Sequence, residues 1–101
     1  MGQKLTRPGK AADTKTALIA AVQRFMDAKA QEYGYDDVFT AVTYAEESTV
    51  AKFQTEGKAF RTWRSAVWAF CYAYLDEVTA GTKPVPTEAE LIALLPALSL
   101  A

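Results

Sequence analysis

The stretch from Phe60 to Tyr74 reads FRTWRSAVWAFCYAY and holds six of the twelve aromatic residues of the chain. Aromatic side chains bury large areas and dominate both protein cores and protein interfaces. This segment is therefore either the centre of the fold or a surface that another protein binds.

Projection onto a helix divides the stretch. One narrow face collects Phe60, Trp63, Val67, Cys71, Tyr74 and Val78, with Arg64, Trp68 and Leu75 on its flank. Phe70 and Tyr72 widen the apolar arc to about 200°, although one packed face needs only about 100°. Two interpretations stay open. In the first, the other helices of a bundle surround this helix. In the second, part of the arc stays open for a partner or a second copy, and the first residues we expect there are Trp68 and Tyr72.

The back of the same helix is made of small residues that would let another helix approach closely: Thr62, Ser65, Ala66, Ala69 and Ala73. Arg64 sits beside the apolar face, where burying a lone charge would be costly. We expect it to pair with a carboxylate from one of two acidic pairs, residues 36–37 or 46–47, or to lie over the ring of Trp68.

The composition indicates one globular domain. Of the 101 residues, 50% are hydrophobic and 23% are charged, and the net charge is −1. The longest run without charge, Ser65 to Leu75, would rise only about 16 Å as a helix, so we expect no transmembrane span. No apolar run with a cleavage site marks a secretory signal, and the single Cys71 agrees with a reducing cytoplasm.

The first twelve residues differ from the rest. They carry Lys4, Arg7 and Lys10 and no acid, which predicts a flexible basic arm at 1–12 before a single helical domain at 13–101. Three basic charges without interleaved aromatic residues are a weak signal for nucleic-acid binding. A solubilising tail is the simpler interpretation.

Helical periodicity and end signals divide the domain into four units. A first helix, capped by Asp13 or Thr14, carries an apolar stripe and ends at Gly34; the stripe comprises Leu18, Val22, Phe25, Met26 and Tyr33. Residues 35–45 read as a short helix, although their β-branched content also suits a strand.

Residues 50–79 read as a long third helix, which either breaks at Gly57 or projects at its far end. After a Pro-rich connector at 84–86, Thr87 and Glu90 predict a capping box for a last helix at about 87–98 that stops or kinks at Pro96. The expected fold is all-α: a small helical bundle of about four helices, with a long central aromatic-rich helix and a short C-terminal helix.

Signals for catalysis are poor. The chain has no histidine, which removes Ser-His and Cys-His arrangements and histidine-rich metal sites. Cys71 lies within the aromatic helix, and the acidic residues come in adjacent pairs that point apart on a helix. Gly57-Lys58 lacks the rest of a phosphate-binding loop. A two-carboxylate hydrolase stays open, but we expect a protein that acts by binding, without enzyme activity, metal or cofactor.

Several runs of the sequence together resemble a group of small tailed-phage and prophage tail proteins. They are YDDV and AVTYA within 35–45, KFQTEGKAF at 52–60, WRSAVW at 63–68 and GTKPVPT at 81–87, and the resemblance covers residues 33–98. Members are tail-fibre-associated or similar to tail assembly chaperones, and no catalytic residues come with the resemblance. It implies a helical module that binds the tail fibre, in the bacterial host cytoplasm or in the virion.

Applied to this chain, the resemblance implies a non-enzymatic tail-fibre assembly chaperone or accessory. The residues that we expect to contact the partner are Trp63, Arg64, Trp68, Tyr72 and Arg61. Two alternatives stay open: a permanent structural component of the virion tail, and a small host-directed regulator that acts by protein–protein binding. A homo-oligomer is also open, and neither a membrane nor a nucleic acid is expected as a partner.

Overall fold

The computed structural model describes residues 10–100 of the chain, with side chains from Thr14 onward. In this range the chain forms four α-helices: α1 (Lys10–Glu32), α2 (Val38–Thr43), α3 (Ala51–Thr79) and α4 (Glu88–Leu94). A 3₁₀ turn at Tyr44–Glu46 extends α2, and the same range contains no β-strand. The protein is a small all-α helical bundle, as the sequence predicts, and its second unit is a helix.

The expected basic arm falls mostly on residues 1–9, which lie outside the described residues. Its last three positions, 10–12, belong to α1.

Glycines end the two long helices in the same way. After α1, Gly34 has a φ of 95°, the Gly34 N–H donates to the Gln31 carbonyl (3.0 Å), and the Tyr35 N–H donates to the Ala30 carbonyl (3.1 Å). This is a Schellman motif, and it confirms the predicted end of the first helix. Gly81, with a φ of 86°, ends α3 through the same pair of hydrogen bonds.

The core lies between α1 and the inner face of α3. Inner-face residues recur at helical spacing and are buried: Phe60, Trp63, Val67, Cys71 and Leu75. They meet the buried stripe of α1, which comprises Leu18, Val22, Met26 and Ala30. Phe25 of α1 contacts Trp63 and Tyr33 contacts Phe60, so the two helices run antiparallel. The predicted inner stripe is confirmed from Phe60 to Cys71, whereas Tyr74 and Val78 are only half-buried.

Gly57 does not break α3, which runs unbroken through 29 residues. Instead it lets two backbones touch. A Cβ at this position would lie 2.4 Å from the Ala45 nitrogen, 2.5 Å from the Tyr44 carbonyl carbon and 3.0 Å from the Ala41 oxygen. Real Cβ atoms do not approach backbone this closely, so the contact between α3 and the 3₁₀ turn requires glycine.

The last helix begins as predicted and ends early. Thr87 and Glu90 form the reciprocal capping box. The helix stops at Leu94, four residues before the expected limit, because Leu95 precedes Pro96 and takes an extended conformation (φ −66°, ψ 149°). The chain then crosses to α3, where the Trp63 indole N–H donates to the Pro96 carbonyl at 2.8 Å.

One carboxylate is buried where α3 begins. Glu56 is 7% exposed, accepts a hydrogen bond from the Tyr35 hydroxyl at 2.7 Å, and accepts another from the Lys52 ammonium at 2.7 Å. The hydrogen bond from Lys52 is the main reason that the pKa of Glu56 lies below its ordinary value of 4.5. Burial, with the adjacent Glu56 charge, raises the pKa of Tyr35. The network ties the α1–α2 connection to α3.

The back of α3 stays exposed. Its small residues Thr62, Ser65, Ala66, Ala69 and Ala73 are all exposed, so the bundle covers α3 on one side and does not surround it. The molecule is accordingly elongated, at 56 × 30 × 19 Å. Within residues 10–100, none of the helices combines the length and the hydropathy that crossing a bilayer requires.

We predict that Gly57→Ala destabilises the protein by about 1–3 kcal/mol, although alanine favours a helix over glycine by about 1 kcal/mol. The added methyl group has to push α3 away from the 3₁₀ turn. Chemical denaturation measures the difference in unfolding free energy. Ser65→Ala, an exposed change in the same helix, is the control and should be neutral or slightly stabilising. A Gly57→Ala variant as stable as the wild type would disprove the close contact.

We predict that Glu56→Gln costs about 1–3 kcal/mol of unfolding free energy at pH 7 and less at pH 3. Because the folded pKa is lowered, the contribution of Glu56 is present above pH 4.5 and is lost as the pH falls through the folded pKa. The pKa values of Asp37 and Glu47 are also lowered, so the wild type has other acid-labile groups. The difference between wild type and variant isolates Glu56, and a difference of equal size at both pH values would contradict its role.

Candidate protein-binding surface

Two aspartates place the short helix α2. The Asp37 carboxylate caps it by accepting the Thr40 N–H at 2.7 Å, and Asp27 of α1 accepts the Val38 N–H at 3.0 Å. The hydrogen bonds from Thr40 hold the pKa of Asp37 below its ordinary value. Six residues would not form a stable helix alone. These caps and the contact at Gly57 therefore set the orientation of α2.

This orientation turns Phe39 outward. Its neighbours Val38 and Ala41 are buried, whereas Phe39 is 62% exposed. The guanidinium carbon of Arg64, on α3, lies 5.9 Å from the centre of the Phe39 ring. Such a cation–π contact at the surface contributes about 0.5–1 kcal/mol.

Trp68 and Tyr72 continue the surface along α3. Their rings stack with centroids 5.4 Å apart and planes at 20°. Trp68 is half-buried against the core, while Tyr72 is 48% exposed. Arg64 lies one turn before Trp68 on α3, so the cation–π pair and the stacked pair follow one another along the same helix.

We call these four residues, Phe39, Arg64, Trp68 and Tyr72, the aromatic edge. It joins an exposed phenylalanine from one helix to an arginine, a tryptophan and a tyrosine from another. Trp, Tyr and Arg are the residue types most often found at the energetic centres of protein interfaces. The aromatic edge therefore has the composition of a protein-binding surface.

Three of the five residues that the sequence proposed as partner contacts, Arg64, Trp68 and Tyr72, lie on the aromatic edge. Trp63 does not, because it is 4% exposed and packs in the core. Arg61 is exposed and forms an ion pair with Glu46 at 2.9 Å.

The expected pairing of Arg64 with a carboxylate is wrong. Among the described side chains, the acidic pairs at 36–37 and 46–47 provide no ion pair for Arg64, and Glu46 pairs with Arg61 instead. Arg64 is half-exposed, so its charge does not need a buried partner. Its ring contact is with Phe39, where Trp68 was expected.

Sequence reasoning did not identify Phe39 as a surface residue. In the structure Val38, Ala41 and Ala45 are buried. The two alanines are buried because the backbone of α3 comes very close to them at Gly57. A glycine on α3 opposite two alanines four residues apart was the available signal. It indicates tight packing on the alanine face and leaves the bulky Phe39 on the outside.

The described residues hold no evident catalytic arrangement. No group of three His, Cys, Asp or Glu side chains among them could hold a metal ion. Cys71 is fully buried, and burial raises the pKa of its thiol, so it remains protonated and packs as a small hydrophobe.

Two cavities open at opposite ends of the bundle. One of about 260 Å³ lies beside Trp63 under the C-terminal residues 95–98. The other, of about 530 Å³, lies between Leu18, Leu75 and Val85. Among the described residues, each is lined by one lysine, Lys29 or Lys15, and by no carboxylate. Neither cavity brings an acid and a base together.

Comparisons with protein-family models, curated proteins and solved structures found no match to this chain.

We predict that Arg64→Met lowers the free energy of unfolding by less than about 1 kcal/mol, because the guanidinium contacts only the ring of an exposed phenylalanine. A double-mutant cycle with Phe39→Ala should give a coupling energy of about 0.5–1 kcal/mol between the two residues. A loss above about 3 kcal/mol for Arg64→Met would instead indicate a buried charge pair.

Proposed function

We propose that this chain acts by binding another protein through the aromatic edge, without catalysis. The observation that carries the proposal is the exposure of Phe39 and Tyr72 on either side of Arg64 and Trp68. Within the described residues, the fold makes little use of this surface: Phe39 contributes only its ring contact with Arg64. Contiguous exposed apolar patches rimmed by polar residues mark protein interaction sites.

The surface indicates the chemistry of the partner. Its rings would accept an apolar segment, as in the recognition of an amphipathic helix or an apolar stripe by a hydrophobic groove. Arg64 has no carboxylate partner among the described side chains, so an acidic residue on the partner would complete the contact. The proposed partner is thus an apolar segment that carries at least one carboxylate.

The resemblance of residues 33–98 to tail proteins of tailed phages suggests which protein supplies that segment. We propose that it is the tail fibre and that the chain serves as an assembly chaperone or accessory for it. Fibre polypeptides expose apolar segments until they trimerise, and such segments aggregate readily. A small helical protein that covers one of them would keep the fibre soluble during assembly.

We predict that Phe39→Ala reduces co-purification with the co-expressed fibre about tenfold, because truncating an interface anchor costs about 1–2 kcal/mol of binding energy. Trp68→Ala should do the same, with its folding checked by circular dichroism because Trp68 also packs against the core. Val85→Ala is the matched control, since Val85 is an apolar residue of similar exposure (61%) in another part of the chain.

If Phe39→Ala and Trp68→Ala both bind the fibre as the wild type does, the aromatic edge is not the binding surface. Affinity purification of the wild-type chain from infected cells tests the partner itself. Recovery of the fibre supports the proposal. A fixed stoichiometry in purified particles would instead indicate a structural virion component, and recovery of a host protein a host-directed regulator.

A further inference from the structure

A second surface of α3 lies on the side that faces away from the core, and it shares Tyr72 with the aromatic edge. We call it the outer face, and it comprises Lys58, Thr62, Ser65, Ala69, Tyr72 and Asp76. All six residues are exposed. They follow one another at steps of four and three residues, which is the spacing along the seam of a two-helix coiled coil.

The outer face lacks charge where an exposed helix normally carries it. Between Lys58 and Asp76 its positions hold only threonine, serine, alanine and tyrosine. Alanine also occupies every seventh position on one flank, at 59, 66, 73 and 80. Exposed helix faces in globular proteins are typically charged or polar. Here the only exposed charge that borders the face between its two ends, within the described residues, is Arg61, which is already paired with Glu46.

The two charges at the ends have opposite signs and no local partner. In the described part of the chain, neither Lys58 nor Asp76 takes part in an ion pair or a side-chain hydrogen bond. They stand about 27 Å apart on the same helix, so they cannot reach each other within one molecule.

We propose that the outer face binds a second copy of this chain, with the two α3 helices antiparallel about a two-fold axis at the level of Val67. In this arrangement Lys58 of each copy lies opposite Asp76 of the other. Thr62 lies opposite Tyr72, so each large side chain meets a small one. Ser65 lies opposite Ala69 at the centre, where small residues let the helices approach closely.

Charge and size together select this arrangement. A parallel pair in register would place Lys58 against Lys58 and Asp76 against Asp76, and like charges placed opposite each other are destabilising. It would also place the two Tyr72 rings against each other. In the antiparallel pair, one two-fold axis places Lys58 opposite Asp76 at both ends of the interface, which is the symmetry of an isologous dimer.

The interface is of modest size. A single pair of helices falls at the low end of stable interfaces, below about 1,200 Å² of total buried surface. The dimer is therefore weak and concentration-dependent. It goes beyond the proposed binding of a fibre and does not rest on it.

Charge reversal provides the decisive experiment. Sedimentation equilibrium of the full chain, from about 10 μM to 1 mM, should show the wild-type mass rising from 11.0 kDa towards twice that value. Lys58→Glu and Asp76→Lys should each weaken dimerisation at least about tenfold, because each places like charges opposite each other. The dissociation constant of the double variant should return to within about threefold of the wild-type value.

Rescue in the double variant has to be intermolecular, since residues 58 and 76 do not meet within one chain. A wild type that stays monomeric throughout, or single variants that dimerise as the wild type does, would overturn the proposal. A double variant as weak as the single variants would overturn the antiparallel register.

A matched pair of alanine substitutions tests the centre of the face. Ala69→Glu should abolish dimerisation, whereas Ala28→Glu, at an exposed alanine of α1, should not change it. Equal behaviour of these two variants would also overturn the proposal.

Phe39→Ala should dimerise normally and Ala69→Glu should still bind the fibre. Failure of the dimer and failure of the fibre-binding proposal therefore give different results.

Discussion

The backbone of α3 touches the backbone of the 3₁₀ turn at Gly57. The position of α2, and with it the aromatic edge, depends on this contact. A side chain at position 57 would overlap Ala45 and Tyr44, so no other residue allows the same distance. The contact fixes the end of a segment that is too short to hold its own shape. Asp27 and Asp37 then fix the beginning of α2 through its backbone N–H groups. With both ends held, Phe39 projects beside Arg64.

Much of this fold can be read from the sequence because its signals are local or strictly periodic. The inner stripe of α3 repeats at helical spacing, and Gly34 follows the last periodic residue of its helix. The capping box of Thr87 and Glu90 is visible as a three-residue spacing. Each of these features is determined by residues within a few turns of one another, so no tertiary knowledge is needed to place them.

The features that sequence reasoning missed depend on contacts between distant segments. Gly57 looks like a helix breaker until the 3₁₀ turn is placed against it. Arg61 and Arg64 are equally plausible partners for Glu46, and only the position of the turn selects Arg61. Trp63 looked available to a partner because the chain that returns to it, at Pro96, lies 33 residues away. The candidate surface was therefore predictable on α3 but not on α2.

The three sides of α3 differ in how far the fold explains them. Burial against α1 accounts for the apolar residues of the inner face. The aromatic edge is explained only in part, since Trp68 packs against the core while Phe39 gains one ring contact. On the outer face, only Tyr72 has a ring contact among the described residues, with Trp68, and the small residues between Lys58 and Tyr72 are exposed. Tyr72 belongs to both exposed surfaces. If both proposals hold, a bound fibre and a second copy compete for Tyr72, and fibre binding would draw the protein toward its monomer.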